Sequence, residues 1–368
     1  MIRHKTIITC IVVTLIVVSV ILGLTCQFTV NDQPLNMPVK VKKIKIEMKM
    51  TPYIYIYKNG ELIYKGIDPP TENFGKFWKL VFSRYNEEIY MKDINGENVW
   101  FDKYDQCFCQ AVDALLYIWF GNGTVLDSYT AYTLSSKISS VEATSSCYLS
   151  NGTAILSIVG VWTSDINTTI TEIGFVKALE GEAPGDLNPL KKYVLLLYTP
   201  VNIPVSVGDN VTVEYRLVFE NVGAVTNFCS FLEVLFAPFE GTTRSVKTLD
   251  GSTKTIGWWL GSDSFCYQTE VAKFVIGTGN APYSPNDYIL ANQIASNAVR
   301  VSYSSKGVDI YSSFIVEPNT PIYEVGLEVQ VRSSGSYYYY ILVLRKVLDT
   351  PIIVSEPTTI VIDLAIRW

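Results

Sequence analysis

The sequence predicts an all-β protein: two tandem, duplicated antiparallel β-sandwich (jelly-roll-like) domains after an N-terminal transmembrane helix. Three observations carry that expectation: a strand-favouring composition, an internal repeat, and one uncharged run of twenty residues near the N-terminus. The chain has 368 residues, of which 48% are hydrophobic and 17% charged, against roughly 25% charged in an ordinary soluble domain. Its 24 tyrosines, with abundant Val, Ile, Thr and Ser, suit a half-buried pleated surface.

The first element is the run Thr6–Thr25, TIITCIVVTLIVVSVILGLT, preceded by Arg3, His4 and Lys5. At 1.5 Å per residue it covers about 30 Å, the depth of a bilayer's hydrocarbon core. The flanking charges place the N-terminus in the cytoplasm and the remainder outside. A cleaved signal peptide is the rival reading. Its apolar core is shorter, however, and ends in small residues, whereas this run ends Leu24-Thr25-Cys26. Either way residues 27–368 face the outside, membrane-anchored or secreted.

The divisions expected are 1–26 as anchor or signal, 27–52 as tether and edge strand, 53–220 as the first sandwich and 221–368 as the second. Within the tether region KKIKIEMKM (42–50) alternates Ile44, Ile46, Met48 and Met50 with charged residues, a period-2 strand. It reads as an edge strand of its own domain, or as a strand donated to a neighbouring subunit. Lys40, Lys42, Lys43, Lys45 and Lys49 form the one dense basic cluster, either a solvated strand face or a contact with lipid headgroups.

The repeat opens on ITEIGF (170–175) and IYEVGL (322–327). Downstream, Ile203–Phe219 lies without gaps on Ile352–Trp368, and Tyr193-Val-Leu-Leu-Leu on Tyr340-Ile-Leu-Val-Leu. Upstream, Gly121-Asn-Gly pairs with Gly277-Thr-Gly, and Ser128, Tyr132, Leu134 and Ile138 with Ser284, Tyr288, Leu290 and Ile294. Lys92-Asp-Ile-Asn-Gly then matches Lys247-Thr-Leu-Asp-Gly, and Asn73-Phe74 matches Asn227-Phe228. Blocks that keep their order over this length mark a duplication. Each copy is expected to own a core.

Within a copy, YIYIYKNGELIY (53–64) carries an Asn-Gly hairpin turn. NFGKFWKLVF and NFCSFLEVLF read as one or two helical turns. Asn95-Gly96 and Asp250-Gly251 are further turns, followed by strands around Val99-Trp100 and Trp258-Trp259. The Gly-x-Gly loops read as turn positions with positive φ. Gly174 and Gly326 read as sites of a bulge or a close backbone approach.

Chemistry is bounded by what is missing. The only histidine is His4, so the outer part has no Ser-His-Asp or Cys-His constellation and no His-ligated zinc. No phosphate-loop Gly-Lys-Ser/Thr follows either Gly-x-Gly. No carboxylate pair stands out for glycoside hydrolysis. The loop Ala178–Asp186 reads as solvated, with Ca²⁺ binding by Glu180, Glu182 and Asp186 as the alternative. A net charge of −6 gives no basis for nucleic-acid binding. The reading assigns no catalytic, cofactor-binding or metal residue.

Seven cysteines suit an oxidising compartment. Cys229–Cys266 is the disulfide expected, with Cys147 joined to Cys107 or Cys109. Asn122, Asn151, Asn167 and Asn210 head glycosylation sequons. Their number is close to chance for a Ser/Thr-rich chain, yet all lie in the first copy. Glycans there would mean that the first copy faces outward and that partners cover the second.

The succession Gly-x-Gly, Ser-x-x-x-Tyr-x-Leu, Ile-x-Glu-Ile/Val-Gly, a Leu-rich strand and Val207-Gly-Asp-Asn-Val-Thr-Val-Glu-Tyr215 resembles β units of virion structural proteins. These occur in tailed phages and archaeal viruses, and the tandem layout also resembles archaeal turret or vertex proteins. The resemblance spans residues 53–368 at the level of pattern and carries over no catalytic residue. It implies a non-enzymatic structural or attachment role on a virion or archaeal cell surface. The partners would then be membrane lipid, through the N-terminal helix, and further copies or other coat and surface proteins. A secreted filament subunit joined by strand donation is the second reading, and a carbohydrate-active surface enzyme the third.

Overall fold

The computed structural model describes residues 40–83, 89–101, 116–124, 126–181, 190–220, 223–237, 242–257, 272–332 and 338–368. It is mostly β. Thr6–Thr25, the tether before Lys40, Trp258-Trp259 and Cys107, Cys109 and Cys266 lie outside these residues. Among the described residues no helix is long and apolar enough to cross a membrane.

The described residues open with β1 (Lys40–Lys58) and β2 (Glu61–Ile67), joined by the expected tight turn, with positive φ at Asn59 and Gly60. The first copy continues with α1 (Glu72–Phe82), β3 (Ile89–Lys92), β4 (Asn98–Phe101), β5 (Leu116–Gly121), β6 (Lys137–Glu142), β7 (Thr144–Ser150), β8 (Thr153–Thr163), β9 (Thr168–Gly181), β10 (Leu190–Val205) and β11 (Asn210–Glu220). The second runs through α2 (Thr226–Leu235), β12 (Thr243–Lys247), β13 (Thr253–Gly257), β14 (Ala272–Gly277), β15 (Gln293–Ala298), β16 (Arg300–Ser304), β17 (Gly307–Val316), β18 (Pro321–Arg332), β19 (Tyr338–Ile353) and β20 (Thr358–Arg367). From α1 onward the elements correspond one for one. The Phe-rich segments are full helices of 11 and 10 residues, longer than expected, because each has a wide apolar face to bury.

Each copy contributes a four-stranded sheet, β10-β9-β5-β6 or β15-β14-β18-β19. Both copies then share one eight-stranded sheet, β16-β17-β20-β1-β11-β8-β7, with β2 beside β1. The small sheets pack face to face on the large one. In the first copy the Phe120 and Trp162 rings lie 5.0 Å apart, and Phe175 and Tyr215 5.8 Å. In the second, Ile46 and Leu364 face Phe274, Leu327 and Leu344. Consecutive strands pair as hairpins within one sheet before the chain crosses to the other, the connection style of immunoglobulin-type sandwiches. A jelly roll wraps paired strands instead, so that expected connectivity gives way.

β1 is not the edge strand expected, since it lies in the middle of the large sheet. Its first half pairs in parallel with β20, from Lys40↔Thr358 to Lys49↔Arg367. Its second half pairs antiparallel with β11, from Lys49↔Glu220 to Lys58↔Val211. One strand of 19 residues, about 60 Å long at ~3.3 Å per residue, therefore runs through both halves of the large sheet. Ile44, Met48 and Met50 are buried on one face, while Lys43, Lys45 and Lys49 stay exposed on the other.

The copies also exchange helices. α1 packs on β16 and β17 as well as its own β10, and α2 packs on β7 and β8 as well as its own β19. Aromatic rings cross this boundary: Phe77 and Trp78 lie 5.5 and 6.1 Å from Phe236, and Phe74 lies 5.4 Å from Trp368. The main core is consequently one continuous cluster through both copies, not one core each. Cys229 on α2 bonds Cys147 on β7, with Cα atoms 5.2 Å apart. The expected Cys229–Cys266 pair gives way to a bridge between copies, as does Cys147 with Cys107 or Cys109. At the matching place on α1, Gly75 lies against Tyr303.

Candidate functional sites: two glutamate knots and a sequon-bearing tip

The repeated motifs converge on a buried carboxylate in each copy. Glu172 and Glu324, the glutamates of the two best-matched blocks, are both 0% exposed. Glu172 accepts hydrogen bonds from Gly123 N (3.1 Å), Ser135 N (2.9 Å), Ser135 Oγ (2.7 Å) and Tyr198 Oη (3.0 Å). The Gly-x-Gly loop folds over it. A Cβ at Gly121 or Gly123 would lie 3.1 or 2.8 Å from Glu172 Oε1, and one at Gly277 or Gly279 2.6 Å from Glu324 Oε1. None of these four glycines has positive φ. They are small because the carboxylate and the facing segment (Ser135 and Ser136, or Ala291 and Asn292) together occupy the space of a side chain, a correction to the turn reading.

The second knot is built differently. Arg345 donates from Nε to Glu324 Oε2 at 2.9 Å and from Nη1 to Asp287 Oδ2 at 2.6 Å. It also donates to the Pro282 and Ala281 carbonyls at 3.1 and 2.9 Å. Burial opposes the Arg345 charge, but the two carboxylates outweigh it and hold the group above its ordinary range. Tyr198 and Arg345 occupy the same place, opposite Gly174 and Gly326 respectively. In the matched blocks Ala131 stands where Asp287 stands. Arginine and its second carboxylate thus arrive together. In the first knot burial raises the Tyr198 phenol to about 12, so it donates as a neutral hydroxyl.

Gly174 and Gly326 each lie beside a bulge, as expected, at Leu195–Leu197 and at Leu342–Leu344 of the paired strands, and what approaches them closely is a side chain, not backbone. A Cβ would come within 2.6 Å of Leu195 Cδ1 in the first copy and 2.7 Å of Leu342 Cδ1 in the second, with the paired Leu134 and Leu290 next to them. The remaining matched blocks are locked alike. Asn73 exchanges two hydrogen bonds with the Lys92 backbone, at 2.8 and 3.1 Å, and Asn227 does so with Lys247, at 2.7 and 2.9 Å. Lys92 lies over Tyr132 and Lys247 over Tyr288.

Two titratable groups escaped the sequence reading because no motif marks them. Asp68 is fully buried near Thr199 and Tyr215. Burial pushes its carboxyl up to about 8, and those two hydroxyls draw it back only in part. Burial likewise brings the Lys177 ammonium down to about 7, over the Phe236 ring of the second copy.

Three sequons meet at one end of the first copy, beside the β1–β2 turn. Asn210 N donates to Asn59 Oδ1 at 2.9 Å, and Lys58 pairs with Asp209 at 2.9 Å. Asn59, Ser206 and Lys58 together hold the Asp209 carboxyl down to about 2. Ser164 N donates to Asp209 O at 2.8 Å, Val207 N to Asn167 Oδ1 at 3.0 Å and Asn122 Nδ2 to Thr168 Oγ1 at 3.3 Å. Asn122, Asn167 and Asn210 are all exposed. Asn151, also exposed, lies on the β7–β8 turn at the far end of β8, with Gly152 near Tyr283 of the second copy.

Among the described residues no group of three His, Cys, Asp or Glu side chains is placed to hold a metal ion. Glu182 and Asp186 of the acidic loop lie outside them. No family model, no curated protein and no solved structure matches the chain.

Proposed function

We propose that the chain is a non-enzymatic, membrane-tethered structural or attachment protein of a virion or archaeal cell surface. The observation that supports this most is β1. The apolar run ends at Thr25, and the strand that opens at Lys40 is shared by both copies. A tether attached there enters the fold on the one strand that ties the two copies together. The knots fit a structural role, since their carboxylates are occupied by internal donors and closed over by glycine loops. In this reading the duplicated sandwiches supply height and contacts for further copies or other coat proteins, and Thr6–Thr25 contacts lipid.

The test is membrane association of the full chain. Retention through alkaline carbonate washing, with the outer part open to added protease, is the result expected. An N-terminus beginning near residue 26 or 27, or protection of the outer part, overturns the tether.

A filament subunit joined by donated strands is the second reading. Its supporting observation is that Lys40–Lys49 sits on β20 as an added strand, a place that a neighbour's segment can fill equally well. Negative-stain imaging of the outer part with and without residues 27–50 separates the two: filaments lost on deletion favour donation, and single particles in both favour the tether.

A further inference from the structure

The two ends of the molecule are built from equivalent loops, yet only one carries sequons. At the first copy's tip stand Asn122-Gly-Thr, Asn167-Thr-Thr and Asn210-Val-Thr. At the second copy's end the matched positions are Thr278 for Asn122 and Thr359 for Asn210, and Asn319-Thr320 is followed by Pro321. Asn319 is as exposed as Asn167, but there is no hydroxyl residue in the third position to complete a sequon. That same end receives β1: Lys40 pairs with Glu356, and Val41 stands opposite Thr359. Sequons are therefore absent where the chain arrives and gathered at the opposite end of β1.

We propose that Asn122, Asn167 and Asn210 are N-glycosylated, which gives the first copy a carbohydrate-covered tip while the second copy's end stays bare. The proposal rests on the outward placement argued above. In the transfer, each asparagine Nδ2 bonds to the anomeric carbon of a lipid-linked oligosaccharide. The bond from that carbon to the lipid diphosphate breaks, the diphosphate leaves with the electron pair, and the amide gives up one proton. All three residues are exposed on a tip whose backbone is tied to β1, and their side-chain bonds are to neighbouring polar groups of that same surface, so the glycans gather at that end. A cap there excludes lateral contacts at the tip and leaves the second copy's flanks for assembly.

The experiment uses the full chain made in a cell with an N-glycosylating secretory pathway. Enzymatic deglycosylation in ¹⁸O water, followed by peptide mapping, should find labelled aspartate at positions 122, 167 and 210, and the intact mass should fall by at least three glycans, a fourth being Asn151. Thr124→Ala, Thr169→Ala and Thr212→Ala should each remove one glycan and retain the asparagine. Pro321→Thr completes a sequon at Asn319 and reports whether the transferase reaches the chain. Modification at Asn319 in that variant with all three tip sites bare overturns the glycan cap and leaves the outward placement standing. Absence of modification at every site, with the outer part protected from protease, overturns both.

Discussion

The two copies keep the same buried glutamate and surround it by opposite means. In the first copy Glu172 is held by neutral donors, Tyr198 among them, beside the apolar Ala131. In the second, Arg345 meets both Glu324 and Asp287. A similar exchange lies on the same faces of the small sheets. Tyr117 and Val176 in the first copy stand where Lys273 and Glu328 form an ion pair of 3.0 Å in the second. Charge enters the second copy in compensated pairs, because a lone buried charge costs more than the pair. A duplicated position can therefore change its chemistry while keeping its geometry, provided two residues change together.

The largest effect expected concerns Asp68, which has no counterpart in the second copy: Leu364 and Lys346 hold the places of Tyr215 and Thr199. Its folded value of about 8 lies above the ordinary 3.8, so between these limits the folded chain holds a proton that the unfolded chain has lost. The contribution of Asp68 to stability is then full below pH ~4 and falls as pH rises towards 8, by at most about 1.4 kcal/mol per pH unit. Asp68→Asn should flatten this slope in urea melts across that window. An unchanged slope would put the pH dependence elsewhere.

Next comes the knot itself. Arg345→Tyr alone leaves two carboxylates without their cation and should cost about 3–5 kcal/mol. Arg345→Tyr with Asp287→Ala recreates the first copy's arrangement and should recover more than half of that loss. Additive costs in a double-mutant cycle would break the idea of a compensated pair.

Reducing the Cys147–Cys229 bridge should cost about 2–4 kcal/mol, read as a lower thermal midpoint without loss of β-sheet circular dichroism. Loss of one copy's signal alone would mean that the copies fold apart. The smallest effect is expected of Gly174→Ala and Gly326→Ala, about 1–3 kcal/mol each by overpacking against Leu195 and Leu342. Gly326→Ala should cost the more, because Val275 Cγ2 stands at 2.8 Å there beside the leucine methyl, whereas at Gly174 the second contact is at 3.2 Å. Equal costs would show that the second knot yields more readily than the first.

Much of this was legible. Several matched blocks proved to be structural locks: Asn73 with Lys92, Tyr132 under that lysine, the Gly-x-Gly loop over Glu172, and Leu134 against Gly174. Such residues survive duplication as sets because each fills a space or hydrogen bond made by another, and in-order matching finds sets. The alternation of 42–50 correctly showed a one-faced strand, but periodicity records which face is buried and carries no address for the partner, so pairing with β20 stayed hidden. The Cys229–Cys266 expectation failed because it sought partners inside one copy, while α2 packs across the boundary. Tyr198 and Arg345 could have been noticed, since each is the residue immediately after the matched Leu-rich strand. Asp68 and Lys177 give no local signal, because their burial comes entirely from distant elements.

The shared strand also decides how the protein bears load. A pull on Lys40 acts along β1, whose ladder with β20 runs parallel to it over ten register pairs. Force in that direction shears those hydrogen bonds together and does not peel them one at a time. Because the same backbone continues into the ladder with β11, tension entering at Lys40 reaches the first copy through a continuous strand, with no hinge at the boundary to stretch first.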